Sequence, residues 1–450
     1  MNDDRSTRRH TAGDPTAGGG GRRNPLSRRG FLTALGVGGA TVGLTAGGAR
    51  LAFAAPGQTS TGDVLVVVFN RGGVDGLNLV APFQMPTYRA LRPTIRVKDP
   101  GEFADPVGRA GLPLVQGGAV GAFPLSGTFA LHPGMEALHA GAWSQGRLAV
   151  VHAAGMPAGE SASRSHFESQ RNWEAGTGRL SVHDGFLNRH LSQLAGNGRL
   201  AGLSRGNTLS AMLDGAAPAI AMNRISEFGV AGFADNEAAR AALTALHGRA
   251  GDVVASTGAG ALDTIATIRS LPADPGPRNG AAYGWDDLST NLKEIARLIR
   301  AGVGLRVATV DHGGWDTHNA QGAPEGNGAF RSRAASLSTA LQAFHQDLGG
   351  SVGVTVVCVS EFGRTINENG SGGTDHGRGS AVLVMGGGIR GGVYGDFPDR
   401  IENGPEGDLA VLNDYRRVLA EVLSVRTGAT DLARTFPTYT PQPFLGLAAS

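Results

Sequence analysis

The chain has 450 residues, of which 41% are hydrophobic and 17% are charged. This composition excludes an intrinsically disordered chain, which combines low hydrophobicity with a large charge excess. Glycine contributes 72 residues, about twice its usual share, so turns and loops are expected to be abundant. The formal net charge is +2, and no basic patch follows the arginine-rich first 30 residues. We therefore expect a globular protein that does not bind nucleic acid.

The N-terminal segment has the pattern of an export signal. A twin-arginine pattern at 27–32 leads into an uncharged apolar stretch at 31–49, and a small-x-small cleavage site ends at Ala54. We predict that residues 1–54 are a signal peptide recognised by the twin-arginine translocase. The domain at 55–450 would then be periplasmic, cell-envelope or extracellular. The alternative is an uncleaved anchor, but the stretch is short of the ~20 residues of a membrane span, so none is expected after cleavage.

The only cysteine is Cys358, which excludes an intramolecular disulfide. It lies within an apolar run, and we predict that it packs as a small hydrophobic side chain, with a catalytic thiol as the minor alternative. The twin-arginine route is consistent with this, because it carries proteins that have already folded in the reducing cytoplasm.

Short apolar runs alternate with helical patterns along the predicted mature chain. Continuous Val, Leu and Ile runs are typical of strands buried on both faces of a parallel sheet. The five runs are 64–69, 148–151, 305–310, 352–359 and 381–385. Apolar residues with helical spacing recur around 288–299, 337–348 and 412–422. The sequence thus predicts an α/β fold with a mostly parallel central sheet and helices on both faces.

Three segments break this alternation. Residues 178–285 contain short pieces interrupted by glycine and proline, and we predict that they form an inserted, cap-like region over the sheet. Residues 93–131 are expected to form loops with a short hairpin. The glycine-rich segment 386–392 lacks the Lys-Ser/Thr ending of a P-loop and is predicted to be a turn.

Candidate metal ligands follow or precede the predicted strands. In open α/β sheets ligands bind at the carboxyl ends of the strands. Asp75 follows the first run, Asp316 and His318 follow the third, Glu361 follows the fourth, and His376 precedes the fifth. Carboxylates and imidazoles without thiolates suit Zn, Mn, Mg or Ca, and this set has room for one or two ions. Such a site favours hydrolysis or transfer of an anionic ester.

Some of these residues have simpler interpretations. Asp75 lies in a glycine-rich loop, where an aspartate often only accepts backbone hydrogen bonds. His312, just before Asp316, could equally be a core histidine or one that orients a ligand.

A nucleophile is suggested after the second strand. Ser165 is followed three residues later by Glu168, which is the pattern of a capping box at a helix N-terminus. A helix N-terminus also binds anions, and the neighbouring Arg164 could clamp one with its fork of donors. We therefore assign Ser165 and Arg164 as catalytic candidates, with Ser161 and Ser163 as alternatives to Ser165.

Five motifs, together with the twin-arginine leader, resemble a bacterial exported family known as domain of unknown function 1501. They lie at 71–77, 164–167, 314–318, 360–365 and 375–377. The family is similar to a distant branch of the alkaline phosphatase and sulfatase superfamily. The resemblance implies an alkaline-phosphatase-like fold.

The resemblance also implies roles for single residues. Asp75, Asp316, His318 and His376 match metal ligands of the superfamily, and Ser165 falls in its nucleophile region. Glu361 stands where the superfamily usually carries an adjacent Asp-His pair, and the following residue, phenylalanine, cannot ligate, so the resemblance implies that one metal subsite is altered or lost.

Two functions follow from these observations. The first is an exported metal-dependent hydrolase or transferase acting on small phosphate or sulfate esters. The alternative is a non-catalytic exported protein that binds a cell-envelope ligand or assists assembly, with the same fold and a degenerate metal site.

Overall fold

The structure is a computed structural model, and it describes residues 63–115, 128–160, 163–179, 181–194, 200–228, 237–238, 241–242, 245, 262–350, 353–401 and 407–449. The predicted signal peptide at 1–54, the alternative nucleophile Ser161 and part of the predicted insertion lie outside these residues. None of the helices in the described part has the length and apolarity needed to cross a membrane.

The described strands form one large and one small sheet. In chain order they are β1 (Val64–Asn70), β2 (Val80–Ala81), β3 (Leu112–Pro113), β4 (Ala130–Leu131), β5 (Leu148–Gly155), β6 (Gly202–Arg205), β7 (Ala219–Met222), β8 (Val307–His312), β9 (Val354–Val359), β10 (Ser380–Gly386), β11 (Gly392–Tyr394) and β12 (Asn413–Asp414). The large sheet has the order β11-β5-β10-β9-β1-β8-β6-β7, with β12 also paired to β5, and the small sheet has the order β2-β4-β3. All five predicted runs became strands of the large sheet, as β1, β5, β8, β9 and β10.

The large sheet is mostly parallel, as predicted. β10 runs antiparallel to its neighbours β9 and β5, whereas the other described pairings in this sheet are parallel. The start of β10 therefore lies at the same edge as the carboxyl ends of β1, β5, β8 and β9. This edge collects the loops that carry the predicted site residues.

Helices cover both faces of the sheet. The labelled helices are α1 (Gly76–Leu79), α2 (Pro86–Leu91), α3 (Glu136–Leu138), α4 (His166–Ala175), α5 (Phe186–Leu191), α6 (Asp287–Arg300), α7 (Ala329–Asp347), α8 (Tyr415–Arg426) and α9 (Leu432–Thr435). Residues 262–269 are also helical. Single turns of 3-10 helix occupy Pro100–Glu102, Pro133–Met135, Ala211–Leu213 and Ile225–Glu227, and a π-helical turn occupies His139–Trp143.

The alternation of side chains along β1 separates two cores. Val66 and Val68 belong to a cluster that includes the apolar faces of α6 and α7. Leu65 and Val67 belong to a second cluster, formed with α4, α5 and α8. Successive strand residues point to opposite faces, so a continuous apolar run requires cover on both sides. The prediction of helices on both faces is confirmed.

Local signals account for several element boundaries. α7 ends at Asp347, and Gly349 and Gly350 follow with φ of +66° and +65°, a left-handed conformation that glycine adopts without strain. β3 and β4 pair antiparallel, which confirms the predicted hairpin. Cys358 is buried in β9 with a free thiol, as predicted, and burial raises the pKa of this thiol.

The described part of the predicted insertion at 178–285 contributes to the sheet. β6 pairs with β8, and β7 extends the sheet beyond β6. These strands are therefore the last two strands at one side of the sheet and not a cap above it. A covering role for the rest of the segment stays a prediction.

Candidate metal centre

Three side chains converge at the edge of the sheet where β1, β8 and β9 end. Ligand atoms of His166, Asp316 and His376 all lie within 4.8 Å of one another. His166 Nε2 is 3.5 Å from Asp316 Oδ2, and His376 Nε2 is 3.3 Å from Asp316 Oδ1. His318 adjoins this group, with its Nε2 3.0 Å from Asp316 Oδ1 and 2.9 Å from His376 Nε2. We call these four residues the metal group.

Separate elements supply the metal group. Asp316 and His318 lie in the loop after β8, and His376 lies in the loop before β10. His166 is the first residue of α4, so the start of that helix brings its ring to the sheet edge. Arg364 and His376 form an isolated antiparallel bridge, which ties the loop after β9 to the loop before β10.

An oxygen acceptor orients each histidine of the metal group through its Nδ1. The distances are 2.8 Å from His166 to Glu361 Oε1, 2.7 Å from His376 to the carbonyl oxygen of Arg164, and 3.0 Å from His318 to Asp375 Oδ1. Carbonyl and carboxylate oxygens accept hydrogen bonds, so each ring donates its Nδ1 proton to them, and Nε2 is the atom of each ring that can bind a cation. The three Nε2 atoms lie 3.0, 3.3 and 3.5 Å from carboxylate oxygens of Asp316.

This arrangement brings two imidazole Nε2 atoms close together and leaves a third without a hydrogen-bond partner among the described residues. In neutral rings, the Nε2 lone pairs of His318 and His376 would face each other at 2.9 Å. His166 Nε2 is buried and has no hydrogen-bond partner among the described residues. Burial, assisted by the charge of Arg364, lowers the pKa of His376 and favours its neutral form. A cation would satisfy all of these nitrogens together.

Arg364 holds the carboxylate of the metal group. Its side chain is fully buried, and its Nη2 donates to Asp316 Oδ1 at 2.5 Å. Nε donates to the carbonyl oxygen of Gly73 at 2.6 Å, and Nη1 donates to that of Thr374 at 3.0 Å. Burial alone would raise the pKa of Asp316, but the hydrogen bond and charge of Arg364 outweigh it and lower this pKa. Asp316 is therefore ionised and available to a cation.

Glu361 lies beside the metal group, although both of its oxygens are already bonded. Oε1 accepts from His166, from Gln170 Nε2 at 2.8 Å and from the backbone N–H of Gly72 at 2.9 Å. Oε2 accepts from Ser360 Oγ at 3.0 Å. Burial would raise the pKa of Glu361, but these hydrogen bonds lower it. The sequence located Glu361 at the site, and the structure shows it orienting His166, a common arrangement around metal-binding histidines.

Asp75 is not brought into the metal group. It lies at the N-terminus of α1 and is completely buried. Arg92 Nη1 donates to its Oδ2 at 2.7 Å, and Gln321 Nε2 donates to the same atom at 2.7 Å. The contacts of Asp75 are therefore those of a buried ion pair that anchors the loop after β1.

The predicted catalytic residues surround the N-terminus of α4. Ser165 occupies the N-cap position and is exposed, but its side chain makes no capping hydrogen bond, so the predicted capping box with Glu168 is wrong. The carbonyl oxygen of Arg164 accepts a hydrogen bond from His376, and the Arg164 side chain donates from Nη2 to Asp408 Oδ2 at 2.9 Å. Sequence reasoning missed His166, although it lies inside the motif at 164–167 and directly follows the N-cap serine.

A cleft adjoins the metal group. Ser163, Asn172, Glu361, Phe362 and Arg378 are among its lining residues. Arg378 Nε lies 3.4 Å from Asp408, the carboxylate that Arg164 also contacts. Two guanidinium groups therefore share one carboxylate beside the cleft.

His312 is a core histidine, which is the first of the two roles predicted for it. It is buried in β8, where its Nδ1 lies 3.1 Å from Asn70 Oδ1 and 3.3 Å from Trp315 Nε1. Burial lowers the pKa of His312 to about 4, so its ring is neutral near pH 7.

The fold and site define an α/β protein with a candidate metal centre at the carboxyl edge of its sheet. Residues 63–408 match the family described as protein of unknown function (DUF1501), and the chain belongs to this family. The family resemblance predicted from the motifs is thereby confirmed. No curated protein and no solved structure matched the chain.

Proposed function

We propose that this protein is an exported metal-dependent hydrolase or transferase that acts on phosphate or sulfate esters. The observation that carries the proposal is the convergence of three imidazole Nε2 atoms on the ionised carboxylate of Asp316. Such a set of acceptors, each fixed by a hydrogen bond on its far side, is the arrangement that metal-binding histidines require.

The residues present fit a divalent cation. His166, Asp316 and His376 would hold the ion, with His318 beside them as a further ligand. Of the ions predicted from the sequence, Zn suits the imidazole donors best, because Mg, Ca and Mn prefer oxygen ligands, of which the group offers the Asp316 carboxylate. A bound ion of this kind polarises an ester oxygen and lowers the pKa of a bound water.

The remaining residues of the site position these ligands and the ester. Glu361, Asp375 and the Arg164 carbonyl fix the three imidazole rings, and Arg364 fixes Asp316. The two guanidinium groups that share Asp408 provide positive charge for the anionic part of the ester.

Ser165 is our candidate nucleophile. Its hydroxyl is free of a capping role, is exposed, and adjoins His166 at the start of a ten-residue helix, where backbone N–H groups favour an anion. Loss of turnover in Ser165→Ala with unchanged metal content would support this role. Full activity in that variant would indicate that a bound water is the nucleophile.

Two finer points belong to the same proposal. The sheet and the positions of Asp316 and His376 at strand ends support a distant relation to the alkaline phosphatase and sulfatase superfamily. The twin-arginine pattern supports export, and a double variant with Arg28→Lys and Arg29→Lys should retain the chain inside the cell. If that variant is exported as well as the natural chain, the assignment of residues 1–54 fails.

Metal analysis of the purified chain tests the proposal, followed by assays with phosphate monoesters, phosphate diesters and sulfate esters. We expect bound Zn or Mn, and we expect His376→Ala to lose both the metal and turnover. His183→Ala changes an exposed histidine outside the metal group and should retain both. A chain that binds metal and cleaves none of these esters would instead support the non-catalytic binding or assembly protein. Purified protein that contains no metal, and that is equally stable with and without chelator, would refute the metal centre.

A further inference from the structure

We propose that the metal group holds one divalent ion, and that the guanidinium of Arg364 takes the place that a second cation would have. This inference rests on the proposed function and specifies the number of ions. It also assigns Arg364 as a positioning residue that acts through Asp316.

The acidic groups around the site are already committed to other donors. Asp75 is paired with Arg92 and Gln321, and both oxygens of Glu361 accept hydrogen bonds within the protein. Asp375 uses Oδ1 to accept from His318 and from Asn369. In two-metal sites the ions lie about 4 Å apart and need ligands of their own. The described residues provide one group of ligand atoms, and Asp316 is its only carboxylate.

Arg364 fills the space beside that carboxylate with a fixed positive charge. Its three nitrogens donate to carbonyl oxygens of Gly72, Gly73, Trp315 and Thr374 as well as to Asp316. These acceptors lie in the loops after β1 and β8 and before β10, so the guanidinium is enclosed by the loops that build the site. A second cation on the same side of Asp316 would face a buried like charge that these hydrogen bonds hold in place.

Asp316 thereby contacts two kinds of group, the guanidinium of Arg364 and the imidazole rings of the metal group. Oδ1 receives the guanidinium at 2.5 Å and also lies 3.0 Å from His318 Nε2 and 3.3 Å from His376 Nε2, while Oδ2 faces His166 Nε2 at 3.5 Å. The carboxylate of Asp316 would then be shared between the guanidinium of Arg364 and the proposed ion. All donor nitrogens of Arg364 already have acceptors, so it does not contact the ester.

The first test is the number of bound ions. The full chain is freed of metal with chelator, saturated with Zn²⁺ and separately with Mn²⁺, separated from unbound metal, and analysed for metal per chain. We expect one ion per chain. Two ions at saturation would overturn this inference and leave the proposed hydrolase intact, whereas no bound ion would overturn both.

The second test asks whether Arg364 positions Asp316. Arg364→Ala should weaken Zn²⁺ affinity by about 10–100-fold, the usual loss when a group that orients a ligand is removed. Added guanidinium ion at low, non-denaturing concentration should restore part of that affinity, which a purely structural role would not predict. Arg331→Ala is the control, because Arg331 contacts the carbonyl oxygen of Pro324. Unchanged affinity in Arg364→Ala would overturn the positioning role.

Arg364→Lys provides the same comparison if the alanine variant does not fold. Lysine keeps the charge but loses the planar fork, so we expect one bound ion with a smaller loss of affinity. Two bound ions in this variant, or wild-type affinity, would contradict the inference.

Discussion

Replacing Asp75 with alanine should destabilise the fold and leave metal binding intact. The ion pair of Asp75 with Arg92 is completely buried, and the two closest contacts between them are 2.7 and 2.9 Å. Without Asp75, the Arg92 guanidinium keeps neutral acceptors, the carbonyl oxygens of Thr365 and Ile366, each at 2.7 Å. Breaking a buried ion pair by removing one partner costs about 3–5 kcal/mol, because a charge stays buried without its counter-charge.

Urea denaturation followed by tryptophan fluorescence measures this loss, and a zinc titration of the same samples measures metal affinity. Asp105→Ala is the control, since Asp105 pairs with Arg109 at 3.8 Å on the surface, where such pairs contribute at most about 1 kcal/mol. If Asp75→Ala keeps wild-type stability but loses zinc, Asp75 is a metal ligand after all and the structural interpretation of this residue is refuted.

Three further predictions address the site and the core. Glu361→Gln should weaken zinc affinity about 10–100-fold, because the carboxylate that orients His166 is lost, and competition with a chelating dye measures it; unchanged affinity would remove this role. The free energy of unfolding should fall as the pH is lowered from about 6.5 to about 4. Burial lowers the pKa of His152 to about 4, so on acidification the unfolded chain binds a proton at this histidine before the folded chain does. A free energy of unfolding, measured in urea, that stays constant across this interval would contradict the argument. Gly373→Ala should lower metal affinity, because the new Cβ would lie 2.3 Å from a carbonyl oxygen beside the metal group, whereas Gly370→Ala, with no atom within 4 Å, should not. Equal zinc affinities for these two variants would show that the loop adapts.

The strands and the principal helices could be predicted from local sequence. Continuous apolar runs must be buried on both faces, which fixed the identity of β1 and β9 and required helices on both sides of the sheet. Helical spacing located α6 and α7, and consecutive glycines located the end of α7. By contrast, Leu412 shares the helical spacing but lies before α8 and is exposed, because Asp414 caps that helix at Tyr415.

The position of the candidate site could be predicted from the sequence, but the role of each residue in it could not. Asp316, His318, Glu361 and His376 were assigned to one sheet edge because parallel strands bring their carboxyl ends together. Whether a carboxylate faces an ion or a buried donor depends on residues distant in the chain. Glu361 meets the first turn of α4, about 195 positions away, and that contact changes its expected role from ligand to orienting group.

Periodicity and composition thus determined the layers of this protein, because the burial of a strand or helix depends on its own apolar pattern. Tertiary structure decided the partners of each charged side chain. Asp75 and Asp316 both follow strands in glycine-rich loops and both meet a buried arginine, yet Asp75 is enclosed in the interior whereas Asp316 also meets three histidines at the carboxyl edge of the sheet. The free energy of a charge depends on the groups that surround it in space, and spacing along the chain does not contain that information.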